Sequence, residues 1–187
     1  MEAKFSPRVK DMISYSRDEA VRLSNEFVGA EHLLLGLIRL NEGTAVNIIN
    51  EFKLDLAELK AELEKILAKS AVRDLVNLNL PLLKQAENII KQSYLEAKEF
   101  KQNIIGTEHL LLTILRYEDS VACQVLNKYG IMYENARDEY EIMLQNKKDS
   151  YLIKKLGQIQ STSNFTKKMK IQLTKQTTDL DKNINKI

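Results

Sequence analysis

The chain has 187 residues, with 28 Lys+Arg against 26 Asp+Glu, a formal charge of +2. This near-balance argues against a strongly basic nucleic-acid binder, and the length suits one domain or two small ones with a core that needs no disulfide or metal. The balance is uneven along the chain: residues 1–146 carry 18 basic and 23 acidic side chains, and residues 147–187 carry 10 and 3, so a body of −5 precedes a tail of +7. Six Gly and two Pro leave few turn signals, and Leu, Ile, Ala, Glu and Lys dominate. An all-α fold is expected. Cys123 is the single cysteine, which suits a reducing, cytoplasmic compartment. The start shows no secretory signal, and the longest apolar runs fall far short of the ~18–20 residues a membrane span needs.

In chain order, Ser6-Pro7 opens a first helix, with Ser as N-cap and Pro at the first helical position. Val9, Met12, Ile13, Ala20 and Leu23 follow at helical spacing, and Asn25 closes the region. A second helix starts near Gly29-Ala30 and runs to about Leu40; Asn41-Glu42-Gly43 breaks it. A short helix carries Ala45, Ile48 and Ile49. From Leu54 to Leu67 the residues Leu56, Leu59, Leu63, Ile66 and Leu67 form one apolar face.

The pattern then recurs. Val28-Gly29-Ala30-Glu31-His32-Leu33-Leu34-Leu35 returns as Ile105-Gly106-Thr107-Glu108-His109-Leu110-Leu111-Leu112, an offset of 77 without a gap. Ile13, Ser16, Glu19, Ala20, Ala45 and Asn50 match Ile90, Ser93, Glu96, Ala97, Ala122 and Asn127. The second copy is expected to begin at Leu80-Pro81, with helices at 81–100, 107–116, 120–128 and 132–146, and with Thr107 as an N-cap type at the start of its second helix. The expected architecture is two tandem repeats of about four helices, 3–69 and 80–146, packed about a pseudo-twofold as one domain over 1–146. A basic tail, 147–187, flexible or partly helical, follows. Within it Leu152, Ile153, Leu156 and Ile159 have the spacing for two helical turns.

The chemistry is sparse. There is no G-x-x-x-x-G-K-[ST], G-x-S-x-G, C-x-x-C or H-E-x-x-H, so neither a catalytic constellation, a cofactor nor a metal site is expected. Adjacent Glu31 and His32 point to different helix faces. Glu31 and Glu108 each fall in the first turn of a helix that starts at a Gly. One reading is macrodipole compensation, worth roughly 0.3–1 kcal/mol. The other is a carboxylate presented beside unsatisfied N–H groups to a guanidinium or amide. Leu33–Leu37 and Leu110–Leu115 read as core, and Cys123, matching Val46, as a small buried hydrophobe.

Phe5-Ser6-Pro7-Arg8, Ala20, Leu23 and the stretch Val28 to Arg39, with its second copy from Ile105, resemble the Clp N-terminal domain, the double-repeat module of the ClpA, ClpB and ClpC unfoldases, ClpC above all. The resemblance spans about residues 3–146. It implies a non-catalytic module that docks adaptors and unfolded or marked substrates onto a Clp ATPase ring, in cis or in trans. In some ClpC relatives such a module binds phosphorylated arginine on substrates. Carried over, a first pocket would use Ser6 and Glu31. A second would use Glu108, where Leu80 stands in place of a hydroxyl and Pro81-Leu82-Leu83 lacks the Arg that follows Pro7. The unfoldases continue into ATPase modules with P-loops; here Thr177 to Lys182 faintly resembles the stretch leading into the first of them. The alternative is a free-standing regulator whose lysine-rich tail binds nucleic acid or an acidic protein, with only Tyr151 and Phe165 in the tail to stack bases.

Overall fold

The computed structural model of the chain describes residues 4–68 and 80–155. Helix α1, Pro7–Arg22, starts as its signals require: Ser6 is extended, and its hydroxyl accepts from the Val9 N–H at 3.3 Å. It buries Val9, Met12, Ser16, Glu19 and Ala20 on one stripe. Helix α2, Ala30–Leu40, follows Gly29 and ends at Asn41, whose left-handed φ of 50° closes it. Helix α3, Thr44–Glu51, follows Gly43, and α4, Leu56–Leu67, is capped by Asp55, which accepts from the Ala57 N–H at 2.8 Å. The face read on α4 is narrower than its pattern. Leu59 and Leu63 are buried, but Ile66 is exposed, because the helix touches the body along one edge only.

Helix α1 lies so close to α2 that a Cβ on Gly36 would meet the Met12 carbonyl oxygen at 2.4 Å. The same helices share a buried carboxylate: Glu19 accepts from Arg22 at 2.6 Å and from Arg39 at 3.3 Å. The second repeat reproduces this tie with Glu96 and Arg116. Burying a carboxylate is tolerable only when it is paired, and each repeat supplies the arginine from its second helix.

The second repeat contains α5, Lys84–Glu99; α6, Thr107–Arg116; and α7, Val121–Lys128. Its start departs from the sequence reading. The N-cap of α5 is Leu83, the residue that the 77 offset pairs with Ser6, rather than a residue at Leu80-Pro81, and it makes no side-chain cap bond. Thr107 is the first residue inside α6, not its N-cap; Gly106 holds that place. Residues 133–155 form α8, longer than the span expected to end at 146. The chain divides within it into two compact units, Met1–Glu141 and Ile142–Ile187. In the second unit the described residues, 142–155, are helical, with Tyr151, Leu152 and Ile153 exposed. Leu156, Ile159 and Thr177 to Lys182 lie outside the described residues.

Two short strands join the repeats. Strand β1, Lys4–Phe5, runs parallel to β2, Ile104–Ile105, with Phe5 opposite Ile105; the Ser6 N–H then donates to the Ile105 carbonyl at 2.9 Å. The counterpart is a parallel bridge between Val28 and Leu82, with the Leu83 N–H donating to the Val28 carbonyl at 2.9 Å. Each repeat's lead-in thus pairs with the other repeat. Helix α3 packs on α6, α2 and α4 pack on α7, and Lys128 reaches Glu62 at 2.9 Å. The Leu33–Leu37 and Leu110–Leu115 runs are buried in the resulting shared core, as is Cys123, whose Sγ donates to the Leu115 carbonyl. The two-repeat, all-α bundle is the one the sequence implied, with the exchanged strands added.

Candidate functional site where three helix N-termini meet

The strand exchange decides which residues become neighbours. By drawing Ser6 to Ile105, β1 carries the start of α1 to the start of α6. Helix α3 arrives at the same point through Gly43. One cavity of about 210 Å³ results, lined by Ser6 and Arg8 at the start of α1, Gly43 and Thr44 at the start of α3, Gly106, Thr107 and Glu108 at the start of α6, Gln102 before β2 and Ile104 within it. Three helix N-termini therefore face one space, each with first-turn amides that lack intrahelical acceptors and a partial positive charge.

Gly43 makes the approach possible. Its φ of 101° and ψ of 174° belong to a region that is essentially glycine-only, and a Cβ there would meet Thr107 Oγ1 at 2.8 Å. That hydroxyl oxygen accepts from the Ala45 N–H at 3.3 Å, so the first amides of α3 are tied to the first residue of α6. Arg8 is exposed at the mouth and paired with Glu42 at 3.1 Å, which leaves most of its fork of donors available.

The two motif carboxylates share a local geometry. Each folds back over its N-cap glycine: a Cβ on Gly29 would meet Glu31 Oε1 at 2.2 Å, and one on Gly106 would meet Glu108 Oε1 at 2.3 Å. Each following histidine accepts from that glycine's N–H through Nδ1, at 3.0 Å for His32 and 2.9 Å for His109. This makes the histidines buried capping residues. The Glu and His side chains do not diverge as adjacency implied, since Glu31 Oε1 lies 3.5 Å from His32 Nδ1. Burial raises the Glu31 carboxyl above its ordinary range, partly opposed by a bond from its own backbone N–H, so desolvation outweighs any lowering by the helix terminus. Burial likewise lowers His109, against the Glu108 charge.

The environments of the two carboxylates differ. Tyr140, fully buried, donates to Glu108 Oε1 at 3.3 Å, and its ring stacks edge-on against Phe100, centroids 4.7 Å apart. The residue 77 positions earlier is Leu63. The same offset turns Ser6, Arg8, Thr44 and Thr107 into Leu83, Gln85, Val121 and Ala30.

Of the residues singled out in the sequence, the structure brings Ser6 and Glu108 into one cavity; Glu31 is not part of its lining. Ser6 thus stands with Glu108 of the other repeat along this cavity, because β1 pairs with the opposite repeat's edge. Arg8, Thr44, Thr107 and Tyr140 were not singled out as site residues. Their signal lay in the positions at which the two copies disagree. Among the described residues no group of three His, Cys, Asp or Glu converges, and no helix is long and apolar enough to cross a membrane.

Comparison with known proteins places these features. The Clp repeat (R) N-terminal domain family matches residues 4–121 and 82–185. The chain is 32% identical over 139 residues to chaperone protein ClpB of Oceanobacillus iheyensis, covering 74% of this chain and 17% of that protein. It is 34% identical over 139 residues to a probable ATP-dependent Clp protease ATP-binding subunit of Chlamydia pneumoniae, covering 74% and 16%. The chain thus spans about a sixth of the length of these curated relatives. In fold it is similar to the N-terminal domain of ClpD from Arabidopsis thaliana, with a TM-score of 0.57 at 18% identity over 74% of this chain and 95% of that one. The N-domain of ClpV from Vibrio cholerae gives 0.63 at 16% identity, over 76% and 86%.

Proposed function

The chain belongs to the Clp repeat (R) N-terminal domain family, and from that premise we propose that it is a non-catalytic recognition module that presents adaptors and marked substrates to a Clp ATPase ring. The cavity at Glu108 takes the head group of a phosphorylated arginine side chain. The supporting observation is the juxtaposition of opposite demands in one small space. The carboxylate of Glu108 suits a guanidinium, while three helix N-termini, Arg8 and the Ser6 hydroxyl suit a phosphate. At about 210 Å³ the cavity is smaller than the roughly 300–1,000 Å³ typical of small-molecule pockets, and so matches one side-chain head group.

The Glu31 surface lacks the anion half of this recognition, having Leu83 and Gln85 where Ser6 and Arg8 stand. One phosphoarginine per chain follows. Isothermal calorimetry on the full chain with phosphoarginine, arginine and inorganic phosphate tests it. Glu108→Ala should abolish the heat, Arg8→Ala should weaken binding about tenfold or more through the lost charge-assisted bonds, and Glu31→Ala should leave it intact. No heat with wild type, or loss on Glu31→Ala with Glu108→Ala indifferent, would overturn the assignment.

A further inference from the structure

A carboxylate at a helix start has two rotatable bonds beyond Cβ and three choices: its own amides, solvent or a ligand. At Glu108 the neighbouring His109 and Tyr140 rings bear on that choice. The Gly106 N–H donates to His109 Nδ1, which puts the neutral ring's proton on Nε2. Nε2 faces the Tyr140 oxygen at 3.5 Å. The Tyr140 hydroxyl in turn donates to Glu108 Oε1 at 3.3 Å. The tyrosine ring cannot swing away, because it is 1% exposed and is held edge-on by both Phe100 and His109. The hydroxyl stays a donor because burial, then the Glu108 charge, holds its pKa far above neutrality. One lone pair of Oε1 is thereby taken from inside, which limits how the Glu108 carboxylate can turn.

We infer that Tyr140 is a positioning residue that orients the Glu108 carboxylate toward its cationic ligand and makes this site, rather than its repeat counterpart, the competent one. The inference rests on the phosphoarginine reading of the cavity. It adds a cause for the asymmetry that lies beneath the lining: the buried residue 77 positions before Tyr140 is Leu63, which offers no hydroxyl.

The test is Tyr140→Phe in the full chain, with thermal unfolding measured alongside binding. Losing one oriented hydrogen bond is expected to weaken phosphoarginine binding about three- to tenfold, at a temperature where the variant is fully folded. A second measurement leaves position 140 unchanged. The Cζ resonance of a ¹³C-labelled Tyr140 should move when phosphoarginine binds and again on Glu108→Gln. Equal affinity of Tyr140→Phe and wild type would overturn the inference. So would a Tyr140 resonance that ignores Glu108→Gln, even where affinity falls, since the tyrosine would then be acting through the core alone. If wild type binds no phosphoarginine, the reading of the cavity falls, and the response of the resonance to Glu108→Gln still decides whether Tyr140 sets the carboxylate.

Discussion

Replacing Gly43 by Ala puts the whole construction of the cavity at risk through one methyl group. Two costs add. The backbone there, φ 101° and ψ 174°, lies in a region nearly closed to residues with a Cβ, a strain of about 1–3 kcal/mol. The new Cβ would also stand 2.8 Å from Thr107 Oγ1. That oxygen is held by the Ala45 N–H, so it yields only by breaking the tie between α3 and α6; overpacking of this kind costs about 1–3 kcal/mol. A sum of about 2–6 kcal/mol lowers the melting temperature of a domain this size by roughly 4–24 °C. Gly130→Ala is the control. Its φ is also positive, 77°, but a Cβ there meets nothing within 4 Å, so strain alone applies, about 1–2 kcal/mol. Calorimetric unfolding of both variants, with phosphoarginine titration, separates the costs. Gly43→Ala should be the less stable by several degrees and should bind at least about tenfold more weakly, because α3 must retreat from α6. Equal melting temperatures for the two alanine variants, or unimpaired binding in Gly43→Ala, would refute the close approach as the basis of the site.

Leu83→Ser installs an N-cap hydroxyl at a position that is extended, exposed and without a side-chain cap bond, so thermal unfolding should show a gain of about 1 kcal/mol; a loss would mean that Leu83 contributes packing instead. Glu31→Gln tests the burial of that carboxylate by its pH dependence. A carboxyl raised in the folded state has its favourable contribution in full below the unfolded pKa and loses it as pH rises through the folded pKa. The glutamine variant should therefore be the more stable at pH 7, with the difference closing toward pH 4; a difference independent of pH would exclude desolvation as its source.

The body's helices were legible because its signals are local. Ser6-Pro7 names the start of α1, Asn41 and Gly43 its neighbours' breaks, and the 77-residue offset carries the first repeat's reading onto the second. The failures share a cause too. A two-residue strand has no room for an alternating pattern, and its partner lies a hundred positions away, so the pairing of Phe5 with Ile105 left no trace in periodicity. Leucine is not a capping residue, and so the start of α5 drifted to the nearby proline. The pairing of Ser6 with Glu31 was carried over from the family resemblance; that Ser6 also stands with Glu108 along one cavity is visible only once β1 is seen to cross to β2. Tyr140 escaped notice because an aromatic residue at a core position reads as core, and its hydroxyl acquires meaning only beside Glu108.

The crossing of β1 onto β2 also governs when the molecule can become itself. During synthesis a growing chain tends to settle its earlier portions first, yet residues 4–5 have no strand to join until residues 104–105 have emerged from the ribosome. Closing so long a loop is slow and is repaid only by contacts formed at its end. The first repeat must therefore wait with its leading edge open, and the cavity forms as one of the last acts of folding. A molecule that presents this site has, by that fact, completed both halves of its body.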